Sequence, residues 1–135
     1  MGYSITEIEG IGPTYGEKLK AVGITNTDKL LDACASKKGR KATADETGLT
    51  EAQLLKWANM ADLMRISGVG EEYSELLEAA GVDTVKELKM RRPDNLTAKM
   101  AEVNADKKLV RQVPSESQVT KWVDQAKALK PMISH

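Results

Sequence analysis

The chain has 135 residues, and its twenty Lys and Arg side chains balance twenty Asp and Glu, so the formal net charge is zero. This length fits one compact domain, or two small halves that share a core. The balanced charge excludes a strongly basic nucleic-acid binder at the level of bulk charge. No apolar run reaches the roughly 20 residues that span a bilayer. The N-terminal residues also lack the basic and apolar regions of a signal peptide.

The residues suited to catalysis or metal binding are scarce. The single cysteine, Cys34, cannot form an internal disulfide and fits a reducing, cytoplasmic setting. We expect it to be a small buried side chain rather than a nucleophile. Its only histidine companion is His135, so neither a Cys/His metal site nor a catalytic triad can be assembled. We therefore expect no enzyme activity, no metal and no cofactor.

The first half of the chain predicts a series of short helices separated by glycines. Ser4 and Glu7 are spaced as a capping box, and Pro13 stands where a first helical residue belongs, after the turn Gly10-Ile11-Gly12. The long helix that begins at Thr50 carries apolar residues at helical spacing. The predicted helices are 4–9, 14–22, 28–36 (capped by Thr27), 41–47 and 50–66, with a loop at 37–40.

The second half follows the same plan. Ser115 and Gln118 form a second predicted capping box, and Pro131 ends the helix that they begin. No segment shows the alternation of a strand, so the predicted fold class is all-α. The predicted helices are 71–80, 84–90, 93–103 and 115–130, and the type of structure at 104–113 stays open.

The sequence contains one phrase twice, first over 8–24 and again over 66–82. The later segments 50–57 and 115–122 also match. Such self-similarity indicates a supersecondary unit used twice. We predict two repeats, 1–65 and 66–135, packed as one compact pseudo-two-fold unit in which helix 115–130 lies near the first glycine turn. The identical positions include Ile8/Ile66, Gly10/Gly68, Gly12/Gly70, Tyr15/Tyr73, Leu19/Leu77, Gly23/Gly81 and Trp57/Trp122.

The aromatic pairs in these repeats have a predicted structural role. Trp57 and Trp122 lie on apolar helix stripes and are expected in the core, with Tyr15 and Tyr73 packing against the adjacent helix and their hydroxyls pointing outward. A dinucleotide fingerprint is not favoured by the Gly-x-Gly turns, because tyrosine stands where its third glycine belongs and no strand precedes.

The repeated phrase closely resembles the helix-hairpin-helix family. That family has an apolar residue and a Gly-apolar-Gly turn, followed by a small residue, a leucine and a closing glycine. Nearly the whole chain also resembles an uncharacterised bacterial family of tandem helix-hairpin-helix proteins, which implies this fold without a settled function. The small residue, the leucine and the closing glycine are Gly16, Leu19 and Gly23 in the first copy, and Ser74, Leu77 and Gly81 in the second.

In the DNA-binding members of that superfamily, the glycine turn lets backbone N–H groups approach a phosphate at a helix N-terminus, where the helix dipole favours an anion. The resemblance therefore implies a nucleic-acid-binding accessory protein that contacts the DNA or RNA backbone without sequence specificity. The binding residues expected are Gly10, Ile11, Gly12, Thr14 and Lys18 of the first copy, with the basic cluster Lys37, Lys38, Arg40 and Lys41.

The second copy departs from this scheme. Glu71 and Glu72 occupy the first turn after Gly70, and Glu75 follows. These carboxylates complement a helix dipole but repel a phosphate. The alternative function is therefore a non-enzymatic protein-interaction scaffold that uses Glu71, Glu72 and Glu75. No membrane partner is expected, and the choice between nucleic acid and protein stays open.

Overall fold

In the computed structural model, which describes residues 3–8 and 10–134, the chain is all-helical, as predicted. His135 lies outside the described residues. A short 3₁₀ turn at Ile5–Glu7 comes first, and an isolated antiparallel bridge joins Ser4 to Asn26. The α-helices are α1 (Pro13–Ala21), α2 (Thr27–Cys34), α3 (Lys37–Thr47), α4 (Glu51–Leu63), α5 (Glu71–Ala79), α6 (Val85–Leu88), α7 (Pro93–Lys107) and α8 (Glu116–Ala128).

Side-chain caps fix the starts of most helices. The capping boxes predicted for α4 and α8 are both present, with the Thr50 and Ser115 hydroxyls accepting from the third backbone N–H of each helix. The cap of α2 is Asn26 rather than Thr27, because the Asn26 Oδ1 accepts from the Lys29 N–H at 2.8 Å. Thr27 instead accepts from the Tyr3 N–H at 3.0 Å.

The loop predicted at 37–40 was wrong, because these residues form the first turn of α3. Ser36 caps this helix by accepting from the Gly39 N–H at 3.0 Å. The lack of a side chain at Gly39 permits close packing in this turn. A Cβ built there would collide with the Ala33 carbonyl oxygen of α2. Glycine therefore lets α3 approach the end of α2 closely.

Two clusters of buried apolar side chains form the interior, and α4 contributes to both. Met60 and Met64 belong to the cluster built around the first half, whereas Leu63 belongs to the cluster of the second half. The α4 residues from Trp57 to Leu63 are all buried, because helices from both halves cover them. Helix α4 is thus the shared element of the fold.

One buried carboxylate also links α4 to the second half. Asp62 accepts from the Val85 N–H at the start of α6 at 2.8 Å, and from the Arg65 guanidinium at 2.7 Å. A buried charge needs such partners, since an unpaired one carries a large desolvation penalty. Asp62 therefore fixes α6 against α4.

The predicted position of helix 115–130 was wrong. Helix α8 packs against α6 and α7, and its Trp122 lies in the cluster of the second half. The segment after α8 contacts the first half, where the Ser134 N–H donates to the Ala35 carbonyl at 2.8 Å and Ile133 packs on the first cluster. The apolar face of α8 packs into the cluster of the second half. The tail after α8 therefore joins the second half to the first.

The structure confirms that Cys34 is a buried side chain. Burial raises the pKa of its thiol, while the Thr43 hydroxyl and the Arg40 charge act in the opposite direction. A buried thiol with a raised pKa is a poor nucleophile. None of the helices in the described part of the chain is long and apolar enough to cross a bilayer.

Candidate functional site

The first glycine turn exposes the N-terminus of α1. Gly10 has φ +92°, a left-handed conformation that favours glycine, whereas Gly12 has φ −84° and ψ −174°, which any residue adopts. Gly12 is the N-cap of α1, and no side chain among the described residues caps this helix. The Thr14 and Tyr15 N–H groups lie in its first turn, where backbone donors lack intrahelical acceptors. They belong to a recess of about 460 Å³ lined by Gly10, Gly12, Pro13, Thr14 and Tyr15.

An aromatic pair supports this turn from beneath. The rings of Tyr15 and Trp57 have centroids 5.4 Å apart and are tilted by 50°. A Cβ at Gly10 would lie 3.4 Å from the Trp57 indole nitrogen. Trp57 is buried as predicted, while Tyr15 is 36% exposed. Ile11, expected among the binding residues, buries its side chain in the first cluster, so only its backbone remains for an external contact.

The second glycine turn has the same framework. Gly68 has φ +93°, and Tyr73 and Trp122 have centroids 5.2 Å apart with a 53° tilt. Its surroundings differ, because the Tyr73 hydroxyl donates to the Gln112 carbonyl at 3.1 Å in the segment after α7. Glu71 and Glu72 are exposed in the first turn of α5. The two turns therefore share a scaffold but present different surfaces.

The basic cluster of α3 divides into exposed lysines and one buried arginine. Lys37, Lys38 and Lys41 are exposed. Arg40 is only 3% exposed, and its guanidinium donates to the carbonyls of Cys34 (3.0 Å), Ala35 (3.1 Å) and Ser134 (2.7 Å). Arg40 is therefore a structural residue, and its expected role in nucleic-acid binding is wrong, because its buried guanidinium is occupied by these three carbonyls.

The expected anion residues lie on two different elements. Thr14 and Lys18 are both exposed and four residues apart on α1, so they share one face of the helix. The three lysines are on α3, which packs against α2 and α4. Across residues 3–8 and 10–134, no three His, Cys, Asp or Glu side chains are arranged to hold a metal ion.

Of the acidic residues considered for protein binding, Glu75 has the most distinctive place. It is half-buried and lines a groove between α4 and α5, together with Lys56 and Lys107. A neighbouring recess, which shares Lys56 with this groove, is lined by Asn59, a buried polar residue that was not predicted from the sequence. The available signal was the nearly unbroken apolar stretch 57–64 around it, which predicts burial on every side of the helix.

No curated protein and no solved structure shows significant similarity to this chain. A protein-family model described as "Domain of unknown function (DUF4332)" matches residues 9–129. The match includes both glycine turns, both tryptophans and every α-helix, so it extends over nearly all of the structure described above. The chain belongs to this DUF4332 family.

Proposed function

We propose that this protein binds the nucleic-acid backbone without sequence specificity, through the first of two helix-hairpin-helix units related by a pseudo-two-fold. One observation carries the proposal: Gly12 is a glycine that the fold does not require. Its backbone conformation is ordinary, and a Cβ built there meets nothing within 4 Å. A glycine in that position leaves room for the close approach of an external group to the backbone.

The chemistry around Gly12 suits a phosphate. The uncapped N-terminus of α1 offers backbone N–H donors and the positive end of the helix dipole. The Thr14 hydroxyl can donate a further hydrogen bond, and Lys18 adds a charge on the same face. The recess is exposed rather than deep, which suits an extended backbone better than a small molecule.

The lysines of α3 are a second source of positive charge. Lys37 and Lys38 lie in the first turn of that helix, which has no acidic residue there. The helix dipole disfavours cations at this end, so these lysines do not stabilise α3. A phosphate bound nearby would offset the repulsion between these lysines and the helix dipole. Phosphate binding therefore explains why lysines stand in that turn.

The second unit is excluded from the proposed contact although Gly70 is equally open. Its φ is −99°, and a Cβ there also meets nothing within 4 Å. The difference is charge, because Glu71 and Glu72 occupy the turn that a phosphate would approach. Binding by one unit alone predicts few phosphate contacts and modest affinity.

The test is fluorescence anisotropy of a labelled DNA duplex titrated with the protein over a range of salt concentrations. We expect binding near 50 mM salt that weakens as salt rises, with log K falling linearly against log salt. Lys18→Gln should lower that slope by about one, the loss of a single phosphate contact. An absence of binding at low salt, or a slope unchanged by Lys18→Gln and by the triple change of Lys37, Lys38 and Lys41 to Gln, contradicts the proposal.

A further inference from the structure

The tail that follows α8, residues 130–134, is seated on the first half like a bound peptide. The Ser134 N–H donates to the Ala35 carbonyl at 2.8 Å, and the Ser134 carbonyl accepts from the Arg40 guanidinium at 2.7 Å. The Ile133 side chain packs on the first cluster. Because Ala35 immediately precedes the N-cap of α3 and Arg40 belongs to that helix, the end of the tail lies beside the start of α3.

The tail is closer to one lysine of the basic cluster than to another. At about 100° per residue in an α-helix, Lys37 lies about 60° around α3 from Arg40, whereas Lys38 lies about 160° from it. Both lysines are exposed. Lys37 therefore adjoins the side of α3 that the tail occupies, and Lys38 lies on the far side. A nucleic-acid backbone that contacts Lys37 has to share its place with the tail.

Few contacts hold the tail, and most of its surface faces solvent. Of its five residues, Ile133 is partly buried and the other four are exposed. The Lys130 carbonyl accepts from the Arg65 guanidinium at 3.0 Å near the surface. Segments with few buried apolar contacts and exposed hydrogen bonds open locally at a small free-energy cost. The tail can therefore detach while both apolar clusters stay folded.

We propose that the tail is a displaceable strap that competes with nucleic acid for the start of α3, and so lowers the affinity of the phosphate-binding surface. This inference rests on the proposed function and adds regulation of the same surface. Arg40 keeps the carbonyls of Cys34 and Ala35 when the tail opens, so it stays a structural residue in both states.

Competition of this kind has two measurable consequences. The apparent affinity for nucleic acid is the affinity of the open form multiplied by the fraction of molecules that are open. Coupling between two binding events is also reciprocal, so nucleic acid bound at α3 must favour the open tail. A change that loosens the tail should therefore tighten DNA binding, and DNA should loosen the tail.

The experiment measures duplex-DNA binding by anisotropy for Ile133→Ser, which removes the apolar contact of the tail. Met132→Ser is the matched control, because Met132 is the exposed neighbour in the same segment. We expect Ile133→Ser to bind about fivefold more tightly, the factor for a parent tail that is open in about one molecule in five. Met132→Ser should stay within about twofold. The salt dependence should not change, because the bound state makes the same phosphate contacts.

Two further measurements locate the effect. The gain from Ile133→Ser should largely disappear when Lys37→Gln is added and persist when Lys38→Gln is added, because only Lys37 adjoins the tail. Amide exchange with solvent, followed by NMR, should be faster at Ser134 in Ile133→Ser, and also in the parent protein when DNA is added. Ser134→Pro is a second way to loosen the tail, since proline lacks the N–H that donates to Ala35. Unchanged exchange of core amides verifies the fold of each variant.

The outcomes separate this inference from the function on which it rests. If neither the parent protein nor any variant binds DNA at low salt, both are overturned. If the parent binds but Ile133→Ser and Ser134→Pro bind equally well or more weakly, the strap alone is overturned. A gain that Met132→Ser shares, a gain that Lys37→Gln leaves intact, or Ser134 exchange that DNA does not accelerate would each also overturn the strap and leave phosphate binding in place.

Discussion

At the scale of single residues, the two glycines of the first turn have different roles. Gly10→Ala should destabilise the protein by about 1–2 kcal/mol, because φ +92° strains an L residue and the added methyl contacts Trp57. Gly12→Ala should lose only about 0.5 kcal/mol, the difference between these residues at an N-cap. Urea denaturation measures both. Equal losses would show that Gly12 is needed by the fold, and would remove the main support for a binding role.

Arg40 gives a second prediction at this scale. Arg40→Met should lower the free energy of unfolding by about 2–4 kcal/mol, since three carbonyls lose a charged donor in a buried place. Lys38→Met, at an exposed position of the same helix, is the control and should change stability by less than about 0.5 kcal/mol.

A local readout shows where Arg40 acts. The Ser134 N–H, which donates to Ala35, should exchange with deuterium faster in Arg40→Met than in the parent protein. Unchanged exchange would mean that Arg40 does not hold the tail. The role of Arg40 could not be predicted from the sequence, because a basic run on an exposed turn gives no local sign that one member faces inward.

At the scale of helices, the end of α7 is a testable departure from ideal geometry. Lys108 follows this helix with φ +52°, the only positive φ of a non-glycine residue in the described ranges. Lys108→Gly should stabilise the protein by about 0.5–1 kcal/mol, because glycine is the preferred residue at such a position. Lys99→Gly, inside the same helix, should destabilise it by about 1 kcal/mol. Thermal unfolding distinguishes these opposite signs, and a loss of stability in Lys108→Gly contradicts the geometry.

The ends of helices were also the most predictable features. The capping boxes of Thr50 and Ser115 are made within one turn, so residues close in sequence determine them. The start of α3 was predicted at 41 rather than at Lys37, and Gly39 in its first turn packs against the Ala33 carbonyl of another helix. Local signals therefore predicted where most helices begin, and they failed where packing against a distant residue decides the conformation.

At the scale of the whole molecule, the packing of the two halves was less predictable than the helices that each half contains. The repeated phrases predicted equivalent places for the two tyrosines and burial of the two tryptophans, and the structure pairs Tyr15 with Trp57 and Tyr73 with Trp122. The position of α8 depends on which apolar surfaces fit together, and the repeat alone does not specify that. The tail contact through Ser134 has no counterpart in the repeated phrases and no pattern of its own.

The functional residues were also predictable only where local sequence determines them. Gly12, Thr14 and Lys18 were expected at the first turn, and the structure places all three at its exposed surface or on the adjoining helix. Asn59 was missed because an amide within an apolar helix gives no sign in the sequence of whether it has a partner. Whether a buried polar atom is satisfied depends on tertiary contacts, which only the folded structure provides.

The central claim is that the first glycine turn binds a phosphate backbone and the second does not. The most direct test compares Gly12→Glu with Gly70→Glu in duplex-DNA anisotropy near 50 mM salt. Both glycines have ordinary φ and open surroundings, and both changes add one negative charge, so the variants are matched. We predict that Gly12→Glu weakens binding at least tenfold, about 1.4 kcal/mol, while Gly70→Glu changes it less than twofold. Equal effects of the two substitutions, or a larger effect at Gly70, would contradict the account.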